Sequence, residues 1–234
     1  MVLFIPGFMQ RGDAWRPVAE LLPERYPSRL LDHAEHSFEG RMGEILASGA
    51  QVLVGYSLGG RLALRAAVRA PESFTAVVLV GSTAGIEEAP LRAARAEADE
   101  RLASWIEAAS MEDVVSVWER QPLFADQSDA LVEEQRPGRL AQDQRSLALL
   151  LRTAGQGALE PVWHELSQLE LPVLAIAGAR DDGYTRAAKR IASTAPNGRA
   201  AIVEEAGHAA HLQRPEEVAR LLTEFLDHLR EKGV

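Results

Sequence analysis

Cysteine is missing from all 234 residues. That excludes a disulfide framework, a thiolate nucleophile and a cysteine-bound metal. Excess positive charge is missing too: 25 Lys and Arg stand against 34 Asp and Glu, a net charge of −9. Nucleic acids are bound by Lys and Arg that displace counterions from phosphates, so this balance argues against a nucleic-acid partner. It also fits poorly with adhesion to an anionic membrane. No apolar run approaches the roughly 18 residues needed to cross a bilayer. The opening Met1-Val2-Leu3-Phe4-Ile5-Pro6-Gly7 lacks the basic start and long apolar stretch of a secretory signal. Together these absences predict a soluble, cytoplasmic protein whose partner is a small molecule, with no nucleic acid and no membrane. They say nothing of oligomeric state.

What is present has the grammar of an α/β chain. Short apolar runs recur at Val2–Ile5, Ser28–Leu31, Gln51–Val54, Ala76–Val80, Pro172–Ala177 and Arg199–Val203. They lack clean alternation, as expected of strands buried on both faces of a parallel sheet. Helical patterns between them would cover those faces. The last, Pro215–Glu231, places Val218, Leu221, Leu222, Phe225, Leu226 and Leu229 at i, i+3, i+4, i+7 spacing, with proline in the first turn. Between about residues 84 and 165 the alternation stops. This stretch is rich in Ala, Arg, Glu and Leu, and predicts helices broken at Pro122, Pro137 and Gly155–Gly157. The organisation expected is one domain over residues 1–234, with a helical cap at about 84–165.

Four segments carry chemistry. Gly55-Tyr56-Ser57-Leu58-Gly59 matches G-x-S-x-G, after a strand-like run and before the helical Arg61–Ala67. A sharp strand-to-helix turn exposes the serine and leaves room for only small neighbours. It also sets the serine at the positive end of a helix. An oxyanion hole needs two backbone N–H groups; Leu58, next after the serine, and Phe8 in the Pro6-Gly7-Phe8-Met9 loop are the candidates. His208, after the last predicted strand, is the candidate base. The acid that orients it should follow the preceding strand, where Asp181 fits the spacing better than Asp182. The other aspartate would then be a solvated neighbour or the cap of the helix beginning near Thr185. His211 either lines the pocket or caps the last helix. No metal or cofactor is expected, because the histidines lack ligand spacing and Gly55–Gly60 carries no phosphate-loop lysine.

The pattern of Pro6-Gly7-Phe8, Gly55-Tyr56-Ser57-Leu58-Gly59-Gly60, Gly178-Ala179-Arg180-Asp181 and Gly207-His208 resembles the α/β-hydrolase superfamily along the whole chain. Within it, Gly55–Arg61, Trp118-Glu119-Arg120-Gln121-Pro122-Leu123-Phe124 and Gly207-His208-Ala209-Ala210-His211 resemble the 2-succinyl-6-hydroxy-2,4-cyclohexadiene-1-carboxylate synthase family of menaquinone biosynthesis. The resemblance implies an α/β-hydrolase fold. The chain begins at what would be the third of the usual eight strands, so about six parallel strands are expected, without the antiparallel edge. It also implies a lyase that uses Ser57, His208 and Asp181 to abstract a proton and eliminate pyruvate from a polycarboxylate. Arg61, Arg95 and Arg139 would contact carboxylates, Trp118 would form a wall, and Tyr56 would join the substrate contacts. Two departures lie near the mouth of the site. Pro6 stands where the family commonly has histidine, and Asp32-His33-Ala34-Glu35-His36-Ser37 loses the glycines of a common Asp-x-x-Gly-His-Gly-x-Ser segment. The competing expectation is a carboxylesterase or lactonase that attacks a small ester with the same serine.

Overall fold

The computed structural model describes residues 1–233. Six strands form one sheet: β1 (Val2–Ile5), β2 (Ser28–Leu30), β3 (Val52–Tyr56), β4 (Ala76–Val80), β5 (Val173–Gly178) and β6 (Gly198–Val203). Their order is β2-β1-β3-β4-β5-β6, and every pairing is parallel. A parallel sheet must be covered on both faces, and side chains alternate across it. Leu3, Ile5, Leu53, Leu79 and Ala175 point to one face, where α2 (Phe38–Leu46), α3 (Leu58–Arg69) and α9 (Asp182–Thr194) bury them. Phe4, Val54, Val78 and Ile176 point to the other, covered by Trp15 and by α11 (Pro215–Glu231). Two short helices, α1 (Arg16–Ala19) and α10 (Ala210–Gln213), lie on this second side as well.

The final helix keeps the predicted bounds and buries Val218, Leu222, Phe225, Leu226 and Leu229. At about 1.5–3 kcal/mol per large apolar side chain, that face supplies on the order of 10 kcal/mol. Tertiary packing, not intrinsic propensity, holds it.

Between β4 and β5 the chain leaves the sheet and forms α4 (Ala89–Ala108), α5 (Met111–Glu119), α6 (Asp129–Leu140) and α7 (Gln144–Ala154), then the short α8 (Trp163–Leu166). A 3-10 turn at Pro122–Phe124 and the end of α7 before Gly155 fall where breaks were expected. Pro137 differs: it sits inside α6. A mid-helix proline loses one backbone hydrogen bond and strains the preceding turn. Here Arg136 and Arg139, on either side of it, both bind Glu119 of α5, and Ser128 caps the helix start. These helices build their own core from Ala103, Ile106, Val114, Val115, Leu147 and Leu151. Met9, from the loop after β1, inserts into it with a φ of 61°. No helix among the described residues is long and apolar enough to cross a membrane.

Candidate active site

The sheet order sets the location. After β1 the chain moves outward to β2, then returns to build β3 on the opposite side of β1. Loops leaving the carboxyl ends of β1 and β3 therefore diverge and open a crevice, the usual ligand position in such sheets. The Pro6–Gln10 loop and Ser57 meet there.

Ser57 lies between β3 and α3 with φ 49° and ψ −108°, a backbone conformation costing of order 1–3 kcal/mol for a non-glycine residue. Its N–H donates to the Val80 carbonyl at 2.9 Å, which anchors the turn. The neighbouring glycines are steric requirements. A Cβ on Gly55 would stand 2.3 Å from the Gly59 carbonyl oxygen, and one on Gly59 would stand 2.4 Å from those of Ile5 and Pro6.

His208 Nε2 lies 3.1 Å from Ser57 Oγ, and its Nδ1 lies 2.8 Å from Asp181 Oδ2. The ring is sealed, with 2% of its side chain exposed. It packs against Tyr184 at 4.4 Å and Tyr56 at 5.2 Å between ring centres. Burial alone would raise the Asp181 pKa, but hydrogen bonds from His208 and from the Tyr184 N–H outweigh it and hold the group below its ordinary value. An anionic Asp181 keeps the proton on Nδ1 and leaves Nε2 free to accept one from the serine. Asp181 also caps α9, accepting the Tyr184 N–H on Oδ1 at 3.1 Å. Of the two expectations for the other aspartate, the cap is corrected and the solvated neighbour agrees with the exposed Asp182. One carboxylate has two oxygens and performs both tasks, and α9 starts at the exposed Asp182 rather than near Thr185.

The N–H groups of Leu58, next after the serine, and of Phe8, whose side chain walls the Ser57 cavity, have no hydrogen-bond partner among the described residues. Gln10 braces their loop: its Oε1 accepts the Gly7 N–H at 3.2 Å, while its Nε2 faces His211 Nε2 at 3.5 Å. His211 neither lines the pocket nor caps the last helix. It belongs to α10, fully buried between Trp15 at 4.4 Å and Tyr56 at 4.2 Å. Burial, then the nearby His208, depresses its pKa to about 3, so it is neutral.

The cavity at Ser57 is small, about 40 Å³, and is walled by Phe8, Tyr56, Trp118, Phe124, Gln127 and Arg139. Trp118 packs on Phe8 and Phe124 at 5.1 and 5.4 Å. Arg139 is buried and pairs with Glu119 at 3.0 Å, and Arg136 shares that carboxylate, so the group keeps one net positive charge. Arg61 and Arg95 do not line this cavity. Arg61, one turn on from Ser57, sits about 6 Å further along the helix axis. There its guanidinium donates to the Ala154 carbonyl at the negative end of α7, and burial lowers its pKa to about 10. Arg95 is held on its own helix by Asp99 at 2.7 Å.

The sequence reading missed Gln10 and Gln127, and also the link from Asp126 through Gln213 to the Gly207 N–H, which ties the α5–α6 connection to the His208 loop. Phe124 lies in the quoted Trp118–Phe124 run but received no role. No cluster of three potential metal ligands occurs among the described residues.

The sequence profile of the alpha/beta hydrolase family matches residues 2–221. The chain is an α/β-hydrolase family member. Among α/β hydrolases it is similar to the 2-succinyl-6-hydroxy-2,4-cyclohexadiene-1-carboxylate synthase of Enterobacter sp. (strain 638), at 28% identity covering 100% of this chain and 93% of that protein. The protein of the same name from Salmonella schwarzengrund is 30% identical, over 74% of this chain and 67% of that protein. Among solved structures, that of MenH from S. aureus superposes with a TM-score of 0.92 at 24% identity, covering 98% of this chain and 94% of that one.

Proposed function

We propose that this α/β hydrolase is a carbon–oxygen lyase that releases pyruvate from an enolpyruvyl-succinyl-hydroxycyclohexene carboxylate, as a step of menaquinone biosynthesis. The observation that carries the reading is the pairing of an aligned Ser57–His208–Asp181 chain with the buried Arg139 at the same cavity, whose Glu119 partner is shared with Arg136 so that the group stays net positive. A neutral ester needs no such cation, whereas a carboxylate does. The likeness to the named synthases supports it.

In this mechanism His208 Nε2 takes the proton of Ser57 Oγ, and the serine oxygen removes a ring proton made acidic by the neighbouring succinyl ketone. The negative charge that develops on the ketone oxygen is stabilised by the Phe8 and Leu58 N–H groups. The electron pair then moves into a new ring double bond as the ring carbon–oxygen bond breaks. Enolpyruvate leaves, is protonated by way of His208, and becomes pyruvate. No covalent enzyme intermediate forms. The helical segment α4–α7 serves as a cap that closes the site with Trp118 and Phe124, excluding water from the carbanion.

A second reading, hydrolysis of a small ester through an acyl-Ser57, is favoured by the apolar Phe8, Trp118, Leu123 and Phe124 walls. One experiment separates the two. Purified protein is given the enolpyruvyl substrate and pyruvate release is followed. Release that Ser57→Ala lowers by at least about 10³-fold, as expected when the proton-abstracting group is lost, supports the lyase. Absence of release, with Ser57-dependent cleavage of aryl esters, establishes the hydrolase instead.

A further inference from the structure

Next to the Ser57 cavity lies a second, larger one of about 220 Å³, and Gln10 lines both. Its remaining walls come from Arg11, the segment Asp32–His36, Arg41 of α2 and the start of α7. Two carboxylates reach it, and both are already committed. Asp32 accepts the Gly12 N–H at 2.7 Å and pairs with Arg11 at 3.3 Å. Asp143 caps α7, accepting from the Ser146 N–H at 2.8 Å and its hydroxyl at 2.7 Å.

Arg41 has no such partner. Its Nε donates to the Glu35 carbonyl at 3.0 Å, and none of the described carboxylates pairs with its two terminal nitrogens. Burial lowers its pKa only to about 10, so it stays charged. His33 lies beside it with 2% of its side chain exposed. Its Nδ1 contacts Glu44 at 2.5 Å, but its Nε2 is buried without any partner. A sealed polar atom left unpaired is costly, and a polar ligand group, or a water carried with it, removes that cost.

We propose that this cavity is a second carboxylate-binding subsite, in which Arg41 holds the substrate carboxylate furthest from the bond that breaks and Gln10 stands at the junction. The inference rests on the lyase reading for its substrate, and size supports it. About 40 Å³ at Ser57 is little more than the space of one water molecule, so a ring with several carboxylates must extend beyond it. The positive charge comes from Arg41, four residues beyond the Asp32–Ser37 stretch that departs from the glycine-rich pattern expected there.

The test is a titration of succinate, as probe, into the full ¹⁵N-labelled chain, followed by amide and Arg Nε chemical shifts. Succinate should shift Gly12, the residue 33–36 amides and the Arg41 Nε, with binding at least about tenfold weaker in Arg41→Met and partly restored in Arg41→Lys. In turnover, Arg41→Met should raise KM about tenfold while kcat stays within about twofold, the pattern of lost uniform binding. Failure of succinate to shift these residues in the wild type, or equal affinity in Arg41→Met, overturns the subsite. The wild-type shift map needs no variant, so a folding failure of Arg41→Met does not blunt it. If no pyruvate is released, the lyase reading falls, and the titration still decides whether the cavity binds carboxylates.

Discussion

Replacing His211 by phenylalanine should flatten the acid side of the stability curve. A histidine with an ordinary pKa of 6.5 is held near 3 in the folded chain by burial and by His208. Between those limits the unfolded chain binds a proton that the folded chain does not. Stability therefore rises with pH in this window, and it is lost as pH falls below 6.5. Worked from those two values, the loss between pH 7 and pH 5 is about 2 kcal/mol. Asp181 has a depressed pKa, but its contribution is lost only below the ordinary 3.8, outside this range. His33 is lowered to about 4 and acts in the same direction as His211, so the wild type should lose more than the His211 share alone. Phenylalanine keeps a planar ring between Trp15 and Tyr56 and cannot titrate. Leaving Gln10 Nε2 without its acceptor lowers stability equally at both pH values and cancels in the comparison. Urea unfolding of both proteins at pH 7 and pH 5 gives four free energies. The reasoning fails if the variant loses as much stability as the wild type, within about 0.5 kcal/mol, a resolution suited to the ~2 kcal/mol expected.

Glu119→Gln should destabilise the protein by about 3 kcal/mol, because it strands the buried cation of Arg139 and releases the half-buried Arg136; an unchanged melting temperature would show that the triad of charges does not hold α5 to α6. Met9→Ala should cost about 2–3 kcal/mol by emptying part of the α4–α7 core. Met9→Gly, which relieves the positive φ, should be no less stable than the alanine variant despite losing one more carbon. In Gly59→Ala the added methyl meets backbone oxygens that cannot yield, so little folded protein is expected by gel filtration, and a normal yield with full activity would refute the packing argument. Trp118→Ala removes a wall of the Ser57 cavity and should raise KM for the enolpyruvyl substrate several-fold in steady-state assays.

The sheet was legible because strands buried on both faces need apolar residues at every position, as in Ala76–Val80, whose bounds agree to the residue. Helix α11 was legible from periodicity. The turn at Ser57 was legible because glycine is the only residue that fits at 55 and 59, and sterics of that kind leave a fixed mark in the sequence. Side-chain partners leave none. Arg61 and Arg139 look alike in the sequence, yet one ends at a helix carbonyl and the other at the Ser57 cavity. Gln10 and His211 meet across 201 positions with no local pattern to flag either. Pro137 reads as a helix break because the arginine–glutamate contacts that carry α6 through it are tertiary.

Ser57, Asp181 and His208 all leave the carboxyl ends of strands, and none lies between residues 89 and 154. Trp118, Phe124, Gln127 and Arg139 all lie inside that interval. The Ser57–His208–Asp181 chain and the outer wall of its cavity therefore occupy separate stretches of the gene product, while Phe8 and Tyr56 wall the inner side from the sheet loops; the outer wall can be exchanged with the inner one left in place. Two tethers limit the exchange. Asp126, through Gln213, holds the Gly207 N–H beside His208. Met9 is planted in the interior of the helical segment, one residue from Phe8, whose side chain walls the Ser57 cavity. Any replacement cassette would have to offer a socket for that side chain, or the loop beside the nucleophile would lose its register.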